Sequence, residues 1–158
     1  MPPPSPYRSL PAPRRVALVL AAVTVHKEAR AKFAQRLVSR GGGFRLAAVL
    51  AWPAERLAKE VVRLAAESAA DELELLQLLY VDLEPQIQIT FLDAVGVTHE
   101  QGVIAEALEA PYGSAESVAA GVAAVREAHG DDGERYLRAL VKYNADAWPG
   151  IASLVTLG

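Results

Sequence analysis

Six basic residues between positions 27 and 45 are the strongest candidates for binding chemistry in this chain. They are Lys27, Arg30, Lys32, Arg36, Arg40 and Arg45. On a helical wheel Lys32, Arg36 and Arg40 cluster, because residues four apart lie on adjacent turns. Such a face can bind a phosphate, a nucleic acid or an acidic protein surface. A sequence pI near 5.6 and the lack of a clear helix-turn-helix pattern favour instead a solvated face, or a dock for the chain's own acidic half.

A second candidate is a buried polar cluster of His26, Arg30 and Asp82. His26 and Arg30 occupy apolar positions of a helical seam, and Asp82 lies among apolar residues. Because a buried carboxylate needs a partner, we expect Asp82 or Glu84 to pair with Arg30 in the interior. An ion pair that fixes helix register is favoured over a tuned polar site, since no nucleophile or metal set accompanies it.

The three histidines, His26, His99 and His129, are predicted to be structural or solvent-facing. None has a second histidine or a carboxylate at helical metal-site spacing on an evident common face. The Gly41–Gly43 run lacks the preceding strand and the Lys-Ser/Thr of a phosphate-binding loop, so it is interpreted as a linker that ends a helix. No catalytic motif occurs. The sequence therefore predicts no cofactor, no metal and no catalytic residue, and weighs against an enzyme.

Charge is divided unevenly between the two halves of the chain. Residues 1–65 hold 12 Lys/Arg against 3 Asp/Glu, a net of +9, and residues 66–158 hold 4 against 16, a net of −12. This asymmetry indicates either an anionic partner for the basic half or two halves that face each other, within one chain or across a dimer. The second interpretation is favoured, because the charges interleave with apolar helical positions.

Composition also bears on the compartment. The chain has no cysteine, which excludes disulfides and thiolate chemistry and agrees with a reducing compartment. The apolar run Val16–Val25 is about half the length of a bilayer span. Arg14 and Arg15 before it imitate a signal peptide, but the run passes into helical sequence without a cleavage region. We predict a cytoplasmic protein with no membrane span.

The element around which we expect the fold to form covers residues 70–95. Its first half is apolar almost all round and leaves only a narrow polar strip through Glu74, Gln77 and Glu84, so it must be buried. Pro85 breaks it. Residues 86–91 alternate as a strand would, but no second convincing strand is present to pair with them, so a helix is predicted over 86–95.

Amphipathic helices are expected to cover this central helix. They are predicted over residues 13–39, 44–51, 53–68, from a capping box at Thr98 to Glu109, from Ser114 to Gly130, and onward from a capping box at Asp131. A buried stripe of Leu57, Val61 and Leu64 is expected in the third of them.

We predict one all-α domain over residues 14–158, a bundle of about six to eight helices, after a disordered proline-rich tail at residues 1–13. The favoured function is a non-enzymatic helical interaction or scaffold protein that self-associates through its basic and acidic halves, with a protein partner or a homo-oligomer. The alternative is a protein that binds an anionic ligand or nucleic acid through residues 27–45. A third hypothesis is an enzyme with a site around His26, Arg30 and Asp82.

Overall fold

The structure, a computed structural model, describes residues 4–157 and is predominantly helical. Its helices are α1 (Ala12–Val25), α2 (Lys27–Ser39), α3 (Leu46–Leu50), α4 (Ala54–Val61), α5 (Ala69–Gln77), α6 (Gln86–Val95), α7 (Ala115–Asn144) and α8 (Ile151–Leu154), with a π-helical segment at Leu78–Leu83 and a 3-10 turn at Ala145–Ala147. Strands β1 (His99–Glu100) and β2 (Val103–Ile104) form the only hairpin of the described residues. The all-α class is confirmed.

The described chain divides into two compact units. Residues 10–75 form one, and residues 4–9 together with 76–157 form the other, so the boundary falls within α5. Each unit has its own apolar core.

In the unit at residues 10–75, α1 packs against α2 and α4, and α2 also contacts α3 and α4. Its core consists of the buried side chains Leu18, Val19, Val23, Phe33, Val49, Leu57 and Val61. The stripe predicted for α4 is confirmed at Leu57 and Val61. Helix α4 ends at Val61 rather than near residue 68, and Ala65 is buried where Leu64 was expected.

The prediction of a single helix over residues 13–39 is wrong, because the helix is interrupted at His26. That residue is extended, with φ −113° and ψ 108°, between α1 and α2. The three residues before it, Val23, Thr24 and Val25, are all β-branched and lose side-chain freedom in a helix. The break takes His26 and Arg30 out of the apolar seam, which removes the reason for expecting them to be buried.

In the other unit, α6 lies along α7. The facing side chains are buried and are Phe91, Leu92 and Val95 of α6 with Val118, Val122 and Val125 of α7. Gly121 allows the close approach, since a Cβ added there would lie 2.5 Å from Val95 Cγ2 and 2.9 Å from the Phe91 ring. Trp148 packs edge-on against Phe91, with ring centroids 4.8 Å apart.

The helix predicted for residues 86–95 is confirmed as α6, and the helix predicted from Thr98 to Glu109 is wrong. A hairpin occupies its start, with His99 paired to Ile104 and Glu100 to Val103. The two turn residues both have positive φ, 52° at Gln101 and 87° at Gly102. That geometry belongs to the two-residue turn whose twist matches antiparallel strands, and glycine adopts it at no steric cost.

The helix start predicted at Ser114 is confirmed, and the two helices predicted on either side of Gly130 are one kinked helix, α7. Ser114 caps α7, accepting a hydrogen bond from Ser117 N–H at 3.1 Å while Ser117 Oγ accepts from Ser114 N–H at 2.8 Å. The break expected at Gly130 is a kink in α7, where this residue has φ 53° and ψ −126°.

The disordered tail predicted at residues 1–13 is not confirmed for residues 4–13. A turn forms there, with Ser9 N–H donating to Ser5 O at 3.1 Å, and the Tyr7 side chain is buried. Arg135 of α7 donates to Ser9 Oγ at 3.0 Å and to Ser9 O at 3.2 Å. Helix α1 begins at Ala12, and residues 1–3 lie outside the described part of the chain.

Candidate functional site

The basic face of α2 is paired with carboxylates of the same unit. Lys32 Nζ lies 2.8 Å from Asp71 Oδ1, and Arg36 forms an ion pair with the other oxygen of Asp71. Arg40 pairs with Glu67. Each of the three residues predicted to bind an anion or a partner therefore already has an acidic partner near the start of α5.

Asp71 is the centre of this group, and its side chain is only 3% exposed. The two cations that pair with Asp71, Lys32 and Arg36, both lie on α2. Lys32 is shared with Glu74, whose Oε2 lies 2.9 Å from Nζ, and Arg36 also donates to the carbonyl of Leu64 at 3.1 Å. The Asp71 N–H donates to Ser68 Oγ at 3.1 Å in the first turn of α5, where a negative charge is favourable.

Two opposing effects set the pKa of Asp71. Burial raises the pKa of the carboxyl, but hydrogen bonds from Arg36, Lys32 and Ser68 outweigh burial and lower the pKa from 3.8 to about 2. The same contacts raise the pKa of Lys32 above its usual value. Both groups are therefore charged at neutral pH, and neither is poised to transfer a proton there.

We expect the free energy of unfolding to fall as the pH is lowered from about 4 to about 2. The folded-state pKa of Asp71 lies below its unfolded value, so its contribution is complete above 3.8 and is lost as the pH falls through about 2. The shift corresponds to about 2 kcal/mol. Urea unfolding followed across this range measures it, and Asp71→Asn should lose less stability on acidification. An equal loss in Asp71→Asn would contradict the assignment.

The burial expected for the cluster of His26, Arg30 and Asp82 is corrected by the structure. His26 and Asp82 are exposed, and Arg30 is half-buried. The Arg30 guanidinium donates to the backbone carbonyls of Leu50, at 3.3 Å, and of Trp52. Arg30 thus fixes the chain around α3. The buried carboxylates are Asp71 and Glu72 rather than Asp82, and the cations that pair with Asp71 lie on α2.

His99 is held through both ring nitrogens. Nδ1 accepts from Gly102 N–H at 3.1 Å, and Nε2 lies 2.6 Å from Asp93 Oδ1. The neutral ring with its proton on Nε2 satisfies both bonds. Gln88 of α6 also donates to the carbonyl of Gly102. Both ring nitrogens are bonded within the protein, so neither is available to a substrate. These bonds anchor the hairpin on α6, in keeping with the structural or solvent-facing role predicted for His99.

Replacing His99 with alanine is expected to loosen the hairpin and leave α6 and α7 intact. The Gly102 N–H loses its acceptor, so its exchange with solvent should become faster, with a loss of about 1 kcal/mol in local stability. Hydrogen exchange of the Gly102 amide measures this change. Glu100→Ala is the matched control, because that side chain is exposed on the same strand. Unchanged protection of Gly102 in His99→Ala would contradict the anchoring role.

Thr90 and His129 resemble a nucleophile and its base, but their hydrogen bonds run in the opposite direction. The Thr90 hydroxyl donates its one proton to Gln86 O at 2.9 Å. His129 Nε2, 2.9 Å from Thr90 Oγ1, must therefore be the donor of the second bond. A base that activates a hydroxyl accepts that proton instead. The pair links α6 to α7 and activates nothing.

An exposed apolar surface at α3 was missed by the sequence reasoning, which expected a short apolar helix there. Phe44, Leu46 and Leu50 are 36%, 36% and 40% exposed. We call the group the α3 surface: these three residues with the neighbouring cations Arg45 and Arg56. The apolar run was visible in the sequence, but which of its residues face solvent depends on tertiary packing.

A second exposed apolar surface begins at the hairpin and is acidic. We call it the hairpin surface, formed by Glu100, Val103, Glu106, Leu108 and Glu109. Val103 and Leu108 are 54% and 40% exposed. The Gln-Gly turn followed by two β-branched residues could have indicated this hairpin. The capping-box pattern at Thr98 pointed to a helix instead.

Two further features concern the whole described chain. Among residues 4–157, no group of three or more His, Cys, Asp or Glu side chains is arranged to hold a metal ion. In the same residues, no helix combines the length and the hydropathy that crossing a bilayer requires.

Comparison of the chain with protein-family models, with curated proteins and with solved structures finds no match.

Proposed function

We propose that this protein is a non-enzymatic helical interaction protein of the cytoplasm that self-associates. The observation that carries the proposal is the pair of exposed apolar surfaces, one with cationic and one with acidic neighbours. Contiguous exposed apolar patches on soluble domains mark sites of interaction. The cysteine-free composition agrees with a reducing compartment.

The internal bonds of the polar residues support the same proposal. Asp71 is ionised and pairs with two cations. His99 and Thr90 donate their hydrogen bonds to other residues of the same protein. These were the groups best placed for acid–base or nucleophilic chemistry. Their bonds hold helices and the hairpin in place.

Self-association has more support than binding of nucleic acid or another anion through residues 27–45. Lys32 and Arg36 would have to leave Asp71 to bind an outside anion, which would strand a buried carboxylate. The α3 surface and the hairpin surface need no such rearrangement.

Size-exclusion chromatography coupled to light scattering, over a range of protein concentrations and at low and high salt, tests the proposal. We expect an average mass that rises with protein concentration, less so at high salt because exposed charges are screened. Ultraviolet absorbance should show no nucleic acid. A monomer at every concentration, or a monomer that carries nucleic acid released by salt, would overturn the proposal.

A further inference from the structure

We infer that the α3 surface of one copy binds the hairpin surface of a second copy. The inference rests on the proposed self-association and names the two surfaces that carry it. It assigns the second copy as the occupant of the α3 surface and of the hairpin surface, because the first carries cations and the second carries carboxylates.

The α3 surface combines apolar side chains with cations. Leu46 and Leu50 lie four residues apart and so share one side of the short helix. The Phe44 ring packs edge-on against Trp52, with centroids 4.9 Å apart, and the Arg56 guanidinium lies 3.9 Å from the centre of the Trp52 ring. Contacts with Trp52 therefore hold both the exposed Phe44 ring and the positive charge of Arg56 in place on the α3 surface.

Arg45 adds a second positive charge to the α3 surface. It is exposed at the start of α3, and no carboxylate in the described part of the chain pairs with it. This separates it from Lys32, Arg36 and Arg40, whose charges are matched within the unit. An acidic partner surface would gain most at Arg45.

The hairpin surface has the complementary composition. Glu100 and Val103 are directly opposite each other across the two strands, so their side chains lie on one face. Glu106, Leu108 and Glu109 follow within six residues and are exposed. Every charged side chain of this surface is a carboxylate.

The hairpin is also held rigidly enough to act as a docking element. Its turn is fixed from α6 by Gln88, which donates to the carbonyl of Gly102, and by Asp93, which bonds His99. Little conformational entropy is lost when an already ordered segment binds. The exposed Val103 and Leu108 can therefore contribute apolar burial, while the glutamates face the arginines of the α3 surface.

Two different surfaces make the contact heterologous, so each copy offers one of each. Leu46→Glu places a carboxylate on the α3 surface, and Leu108→Arg places a cation on the hairpin surface. Both side chains are exposed, so the fold is expected to persist, as circular dichroism will show. Leu154→Glu, at an exposed leucine on neither surface, is the matched control.

By light scattering, each variant alone is expected to be monomeric at concentrations where the wild-type chain and Leu154→Glu associate. Mixing the two variants should restore association as a one-to-one complex, because the mixture still contains one intact surface of each kind. Wild-type-like association of both variants, or a mixture that stays monomeric, would overturn the inference while leaving self-association in place.

A second pair of variants covers loss of folding in the first. Arg45→Glu and Glu106→Lys change charge alone, and the same rescue on mixing is expected. A wild-type chain that is monomeric at every concentration overturns the proposed function, and this inference with it. Association only with added nucleic acid also overturns both and assigns the α3 surface to an anionic polymer instead.

Discussion

Arg36→Met is expected to lower the free energy of unfolding by about 3 kcal/mol. Methionine keeps much of the apolar stem of arginine but removes the guanidinium that pairs with Asp71. The carboxylate is 3% exposed and keeps only Lys32 as a charged partner. Removing one member of a buried pair is costly because the remaining charge cannot regain its hydration. Urea unfolding at neutral pH measures the loss.

Arg40→Met is the matched control for this prediction. Arg40 lies one turn further along the same basic face, but its side chain is 56% exposed and its partner Glu67 is 29% exposed. Exposed pairs contribute no more than about 1 kcal/mol. Equal losses in Arg36→Met and Arg40→Met would show that burial of Asp71 does not control the stability of this group.

Gly121→Leu is expected to lower the free energy of unfolding by about 3 kcal/mol. Leucine has the higher helix propensity, by about 1 kcal/mol. The surroundings oppose it, because even a Cβ would lie 2.5 Å from Val95 Cγ2 and 2.9 Å from the Phe91 ring. The side chain can be accommodated only if α6 and α7 separate. Thermal and urea unfolding measure the loss.

Ala120→Leu is the control, since the neighbouring residue is exposed on the same helix. It should change the free energy of unfolding by no more than about 0.5 kcal/mol. Equal free energies of unfolding for Gly121→Leu and Ala120→Leu would contradict the close approach of α6 and α7 at Gly121.

The apolar patterning predicted much of the helical core. Leu75, Leu76, Leu78 and Leu79 are buried, and Glu74 and Gln77 are exposed, as expected for the central helix with a narrow polar strip. These positions follow from helical periodicity alone. The break at His26 was missed because a run of β-branched residues lowers helix propensity without forbidding a helix.

The partners of the charged residues were harder to predict. The sequence indicated that basic residues of the first half would dock on acidic residues of the second, and Arg40 pairs with Glu67 in this way. It selected Asp82 as the buried carboxylate, because Asp82 lies among apolar residues in the sequence. Which carboxylate is buried depends on how α2 and α5 pack, and periodicity contains no information on that packing.

The proposed self-association through two unlike surfaces is tested most directly by disulfide trapping, for which a chain without cysteine is well suited. Leu46→Cys labelled with ¹⁵N and unlabelled Leu108→Cys would be prepared separately, mixed and oxidised gently, and the three covalent dimers distinguished by mass spectrometry. If the α3 surface binds the hairpin surface, the mixed dimer should form well beyond the statistical proportion that random pairing of two chains gives. A mixed dimer that forms only in that statistical proportion would contradict this contact.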